Sequence, residues 1–493
     1  MVNPNRVGGF PFRKADPEMR KTNFSEVQQP YSEEEVIKEA ERCLLCGTPV
    51  CIDACPVLLD VRGMNEAAAR GDFKTSYERI RETNPLLGVT ARCCPQLQGL
   101  CEDACVLKWS GKPIAIGLIQ RYIADWERKN RQPSPITDKE TGKKVAIIGA
   151  GPAGLAGSSL LSRYGHKVTI FESSDMAGGT AWYGVPDYHL PKNILIDEIE
   201  KIKSLGVDIR TKITIGTDIT LSQILEEYDS VLITTGSKDA VELDIPGASL
   251  KGVISGYEFL ETVFAGGLDN YLKKPKYDLG NDILVIGGGD TSLDCARTAL
   301  RLSNGNVTVL CLHPKTELHV DPIMFDEAEE EGVKFRFEVQ AKSFQGDKTG
   351  NITDATINSV RISASDDVGK KDLAIIPEKE FKMKCSTVLL AIGRGPNSFL
   401  QKKAGLDTGK RNSIAISNDF KTSIDRVFAA GDVTSGETLI VKAMEKGREA
   451  AQRVHEFLMN LESSHVSFYE KYYENLSYDK MISGHKEVDV PPD

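Results

Sequence analysis

Eight cysteines fall within 63 residues: Cys43, Cys46, Cys51, Cys55, Cys93, Cys94, Cys101 and Cys105. Nothing else in the chain constrains its N-terminal fold so tightly. Thiolates two to four residues apart converge on one inorganic core only if short loops fold back around it. The first four read C-x2-C-x4-C-x3-C-Pro, and Cys94 to Cys105 read C-Pro-x5-C-x3-C. The frames Cys51-Ile-Asp-Ala-Cys55 and Cys101-Glu-Asp-Ala-Cys105 nearly repeat each other. Buried free cysteines do not recur at repeated short spacings. Zinc is the stronger rival, but residues 1–165 contain no histidine and the run is longer than a zinc knuckle needs. Two four-iron clusters need eight ligands. Because Cys93 and Cys94 are adjacent, one of them is expected to be spare and one ligand to be a group other than cysteine.

The net charge of −10 gives no reason to expect nucleic acid or an anionic membrane surface as a partner. The longest uncharged stretch, Val145 to Leu161, is rich in Gly and Ser and holds a Pro, so it reads as a buried strand–turn–helix rather than a membrane span. The first residues lack the apolar core of a secretory signal. Eleven cysteines then point to reduced thiols used as ligands in the cytoplasm.

Residues 1–130 read as an α-helical domain carrying two [4Fe-4S] clusters. Ser32-Glu-Glu-Glu35 resembles a capping box, followed by Val36, Ile37, Ala40 and Leu44 at helical spacing, with Gly47 as the expected stop. The polar, proline-containing stretch 131–142 is the expected linker. Beyond it, short Val/Ile runs ending in Gly-rich turns alternate with helical patterns, which is the texture of α/β units with a parallel sheet. The expected fold class is α/β, with two dinucleotide-binding (Rossmann-like) domains after the helical domain. The FAD fold, 143–252 and 395–463, is interrupted by the NAD(P) fold, 253–394. Residues 464–493 form a polar tail with Tyr469, Tyr472, Tyr473 and Tyr478 that belongs to no recognisable core.

Two glycine fingerprints carry the nucleotide chemistry. Lys144-Val-Ala-Ile-Ile runs into Gly149-x-Gly151-x-x-Gly154, and Glu172 ends the next strand 23 residues after Gly149. Such glycines let a pyrophosphate approach the backbone at a helix N-terminus, and the acid accepts from ribose hydroxyls. The second fingerprint, Gly287-Gly-Gly289-Asp290-Thr291-Ser292, has no acid at the end of its second strand. His313 and Lys315 follow that strand instead, either to hold a 2′-phosphate or as a plain solvated loop. This favours NADPH, with NADH possible. Two nucleotide sites beside iron–sulfur clusters call for a flavin to exchange two-electron for one-electron traffic. Gly431-Asp432, at the tip of the strand Arg426-Val-Phe-Ala-Ala, suits a flavin ribityl or phosphate contact.

Taken in order, the paired cysteine frames, Gly149-Ala-Gly-Pro-Ala-Gly154, Gly178-Gly179, Tyr183-Gly-Val-Pro-Asp-Tyr-His-Leu-Pro-Lys192, the Gly287–Arg297 run and Ala429-Ala-Gly-Asp432 resemble the glutamate synthase small (beta) subunit family. That family also takes in the N-terminal half of dihydropyrimidine dehydrogenase and the large subunit of NADH-dependent ferredoxin–NADP oxidoreductase. The resemblance covers residues 20–460. It implies one FAD, one NADPH and two [4Fe-4S] clusters. By position, one cluster takes Cys43, Cys46, Cys51 and Cys105. The other takes Cys55, Cys94, Cys101 and the side-chain oxygen of Gln120, leaving Cys93 spare. The helix-surface amide is the alternative for Gln120. Where many relatives carry an Arg pair, this chain has Leu312-His313, which keeps NADH open.

The expected activity is that of an NADPH-dependent oxidoreductase passing hydride to FAD and single electrons onward through the clusters, with no side chain acting as acid or base. A glutamate synthase large subunit is the first expected redox partner. The alternative is a stand-alone NAD(P)H reductase of small acceptors or ferredoxin, or a subunit of a bifurcating ferredoxin–NADP oxidoreductase. A non-catalytic redox sensor does not need two intact nucleotide fingerprints.

Overall fold

The computed structural model describes residues 9–10, 12–132, 137–318, 320–364 and 371–461. The tyrosine-rich tail and residues 133–136 of the expected linker lie outside them. The Ser32 hydroxyl accepts from Glu35 N while the Glu35 carboxylate accepts from Ser32 N at 2.7 Å, so the capping box starts the helix Glu33–Glu41. This helix ends at Glu41, well short of Gly47. Tertiary contact sets the stop. Buried Arg42 turns its guanidinium to Glu39 and to the carbonyl of Lys112 (2.7 Å), and the chain leaves the helix with Leu45 at positive φ. Short helices follow, among them Val50–Asp53, Val61–Ala69, Phe73–Arg81, Leu87–Cys93 and Ile116–Asn130. Among the described residues no strand precedes Lys144.

Two five-stranded parallel sheets then share one topology. In the first, Val427–Ala429, Ser230–Ile233, Lys144–Ile148, Lys167–Phe171 and Asp208–Arg210 lie side by side. In the second the order is Val253–Ser255, Thr387–Leu390, Asp282–Ile286, Asn306–Leu310 and Lys334–Arg336. Because the strand Val427–Ala429 returns to the first sheet after the second is complete, one fold interrupts the other. A two-stranded ribbon, Ser237–Ala240 against Arg394–Pro396, joins them. The second fold also carries an antiparallel meander, Val339–Gly346, Ile352–Ala364 and Lys371–Lys384.

The N-terminal domain is fastened to both folds. Gly88 of the helix Leu87–Cys93 packs so close to the helix Lys192–Lys203 that a Cβ there would stand 2.8 Å from Ile194. Burial brings the His189 imidazole down to about 4, so it is neutral, and Nε2–H donates to the carbonyl of Arg92 at 2.8 Å. The run Tyr183–Lys192 therefore docks the flavin-side fold beside Cys93 and Cys94. From the helix Ile440–Met459, Arg448 reaches the carbonyls of Val57 and Thr83. Arg20 sits over Glu330 and Glu331 of the second fold, where Arg297 and Arg301 also converge. Although burial works the other way, those arginines hold the Glu331 carboxyl down to about 2. Among the described residues no helix is long and apolar enough to cross a membrane.

Candidate functional site

The first fingerprint floors a cleft of about 1130 Å³ lined by Gly149, Gly151, Glu172, Gly179, Tyr183, Lys238 and Asp432, among others. Gly149 has φ +108, and a Cβ there would lie 2.6 Å from the Thr234 carbonyl. Gly154 does not line the cleft. Its missing Cβ would stand 2.0 Å from the carbonyl of Gly149, so this glycine lets the helix Pro152–Arg163 close on the strand. Gly179, at φ +53, crosses within contact of Gly151: its Cβ would meet Gly151 Cα at 2.8 Å. Over Gly151, by contrast, the nearest such atom is 4.0 Å away. That bare backbone at a helix start is a cradle a side chain would fill, and it fits a pyrophosphate.

Glu172 is buried. Its carboxylate accepts from Ala150 N (2.8 Å) and Ser174 N (2.8 Å), which aims it at the cleft from the strand tip. Gly431, at φ +77, turns the chain so that Asp432 faces the same cleft. Burial pushes the Asp432 carboxyl up to about 6, against a hydrogen bond from Thr438 Oγ1 at 2.8 Å.

A second cleft of about 1250 Å³ is lined by Gly287, Gly288, Gly289, Thr291, His313, Tyr257 and Arg394, among others. A Cβ on Gly287 would lie 2.3 Å from the Ala391 carbonyl, while the space over Gly289 is open. Neither Asp290 nor Ser292 lines it. Asp290 accepts from Asp321 N (2.9 Å), and buried Ser292 turns back to donate to the Gly289 carbonyl (2.6 Å). Of the two expected cations only His313 borders the cleft, with Glu317 3.9 Å from its Nδ1. Lys315 is spent elsewhere, on Glu329 (3.1 Å) and the face of Phe325.

Sequence reasoning missed the junction of the two clefts. Tyr257 and Arg394 line both. The Arg394 guanidinium lies 4.0 Å from the centre of the Tyr257 ring and bonds Glu437 at 2.7 Å, and its buried Nη1 has no partner. The only local signal is an arginine between glycines just after a Val/Leu strand, Gly393-Arg394-Gly395.

The cysteines sort into two groups. Cys43, Cys46, Cys51 and Cys105 line one cavity of about 430 Å³, together with Val61, Asn65 and Ile114. They surround a space and do not meet at a point: among the described residues no three His, Cys, Asp or Glu side chains are set to hold a single metal ion. Burial first, then the neighbouring sulfurs, push the Cys51 thiol up to about 12. Four soft donors around a cavity suit an iron–sulfur core, whose iron replaces those protons. Cys55, Cys94 and Cys101 form the other group. Burial raises the Cys94 and Cys101 thiols well above the ordinary range, and the sulfurs of this group act on one another. Part-buried Cys93 faces elsewhere, toward Asp294 and Lys192. Gln120 is buried in the helix Ile116–Asn130, not displayed on its surface. All of these cysteines are free thiols in the structure.

Residues 20–132 match the family described as dihydropyrimidine dehydrogenase domain II, 4Fe-4S cluster, and residues 143–447 match pyridine nucleotide-disulphide oxidoreductase. The glutamate synthase [NADPH] small chain of Bacillus subtilis is 34% identical, covering 90% of this chain and 95% of its own length. That of Escherichia coli is 31% identical, with 89% and 95% covered. Mycobacterium tuberculosis FprA, solved in complex with NADPH, superimposes with a TM-score of 0.55 at 15% identity, covering 69% of this chain and 90% of FprA, which supports the fold alone. The chain belongs to the glutamate synthase small-chain family, NADPH-dependent oxidoreductases that join an N-terminal 4Fe-4S domain to a flavin- and pyridine-nucleotide-binding fold.

Proposed function

We propose that this chain takes reducing equivalents from NADPH and delivers them singly to a separate protein, as the electron-donating subunit of a glutamate synthase. The observation that carries this reading is the shared wall of the two clefts: Tyr257 and Arg394 belong to both, so a nucleotide in one meets a flavin in the other. When bound, FAD supplies the exchange between hydride and single-electron chemistry, and the clusters supply one-electron carriage.

The chain's own residues do the holding and aiming. Gly149, Gly151 and Gly179 open the backbone to the FAD pyrophosphate, Glu172 orients its ribose, and Asp432 faces its ribityl side. Gly287, Gly289 and Thr291 do the same for NADPH, with His313 at the 2′-phosphate. Cys43, Cys46, Cys51 and Cys105 would hold one cluster, and Cys55, Cys94, Cys101 and Gln120 the other. The domain limits follow: 1–130 for the clusters, 143–252 with 395–463 for FAD, and 253–394 for NADPH. Reduced thiols at these positions suit a cytoplasmic protein.

A partner is favoured by the rim of the four-cysteine cavity. Leu44, Val50 and Val106 line that cavity and are exposed, and Trp109 on the adjoining turn is 89% exposed. The test uses anaerobically purified full chain. We expect roughly eight irons, a flavin spectrum bleached by NADPH faster than by NADH, and glutamate formation only after a glutamate synthase large subunit is added. A protein that reduces dyes or ferredoxin, yet neither binds nor serves the large subunit, is a stand-alone reductase and overturns the assignment.

A further inference from the structure

Asn65 sits on the helix Val61–Ala69, on the face that Val61 and Arg62 also turn toward Cys43, Cys46, Cys51 and Cys105. Its side chain is wholly buried, yet neither Nδ2 nor Oδ1 has a hydrogen-bond partner. An unpaired buried amide costs free energy that an apolar side chain of the same volume would avoid. Val61, Leu107, Ile114 and Ile116 show that the same wall is otherwise built from apolar residues. The amide faces the Cys43 sulfur, where it opposes the burial that raises that thiol. A buried polar group without a partner, aimed into a cavity of sulfurs, is a donor waiting for an acceptor.

We propose that Asn65 Nδ2–H donates a hydrogen bond to a sulfur of the cluster held by Cys43, Cys46, Cys51 and Cys105, either the Cys43 thiolate or an inorganic sulfide, and so raises that cluster's reduction potential. The inference rests on reading this cavity as a cluster site. One-electron reduction places added negative charge on the sulfurs, and an N–H donor stabilises the reduced form more than the oxidised one. Asn65 itself neither gains nor loses a proton, so it is a positioning residue whose effect is electrostatic. A higher potential at this cavity, the one bordered by Leu44, Val50 and Val106, would draw electrons toward the exposed rim.

The test is a redox titration followed by electron paramagnetic resonance on anaerobic full-length protein, wild type against Asn65→Leu, with iron counted in each. The expected result is that one of two cluster potentials falls by about 59 mV, a tenfold change in the one-electron ratio. The other potential and the flavin stay put, and Asn65→Ser, which keeps a donor, recovers part of the shift. Unmoved potentials in Asn65→Leu overturn the inference while leaving the cluster reading intact. If Asn65→Leu loses the cluster, Asn65→Ala and Asn65→Ser decide: a higher potential with serine supports the donor, and equal potentials, or loss of the cluster in all three, show a purely structural role. A wild-type protein without roughly eight irons overturns the cluster reading and this inference with it.

Discussion

The two dinucleotide folds have the same strand order and the same tight turn, yet they differ at two positions. In both, the first fingerprint glycine presses against the backbone of a neighbouring loop, at 2.6 Å from Thr234 O for Gly149 and 2.3 Å from Ala391 O for Gly287, measured from an added Cβ. The third position differs. Gly154 touches the turn so closely that no side chain fits, whereas Ser292 stands there in the second fold and bonds back to Gly289. The end of the second strand differs as well: Glu172 clamps the first turn through Ala150 N, while the second strand ends on Cys311 and leads to His313. The turn is common property of the fold, and the strand end distinguishes one nucleotide from another.

The largest expected effect breaks the first difference. Gly154→Ala places a methyl 2.0 Å from a backbone oxygen that cannot yield, and overpacking of this kind costs about 1–3 kcal/mol or more. We expect lost flavin absorbance and a lower Tm. Ser292→Ala at the matching position should cost only about 0.5–1.5 kcal/mol, one hydrogen bond. Equal damage at both sites would mean the two folds tolerate side chains alike. Next comes Glu172→Gln, which removes the charge-assisted acceptor of Ala150 N or Ser174 N. FAD affinity measured by fluorescence should fall about tenfold, 1.4 kcal/mol, with NADPH binding unchanged. Smallest is a sharpening of the nucleotide choice. His313→Arg supplies a fork for a 2′-phosphate, and the kcat/KM ratio of NADPH over NADH should rise several-fold up to about tenfold. Lys315→Ala, whose ammonium is held by Glu329 and Phe325, should leave that ratio where it was.

The fingerprints and cysteine frames were legible because each is a local requirement. A glycine is needed where its own Cβ would clash, and ligands spaced two to four residues apart fold around one core with no help from afar. The capping box of Glu33–Glu41 is equally local, and it formed as read. The stop of that helix was not, since Arg42 answers to Lys112, seventy residues on. Lys315 looked like a phosphate ligand in sequence, but a glutamate on a neighbouring helix had the stronger hold.

From sequence alone came the chemistry of this protein: iron–sulfur thiolates, two nucleotide turns, and the order in which one fold interrupts the other. Only the tertiary structure decided which groups face one another. It gathered Cys105 with Cys43, Cys46 and Cys51, set Tyr257 beside Arg394 between the clefts, and left Asn65 unpaired against the sulfurs. These are contacts between segments far apart in the chain. Their partners are chosen by packing and by the cost of burying polar groups, terms that no short stretch of residues contains.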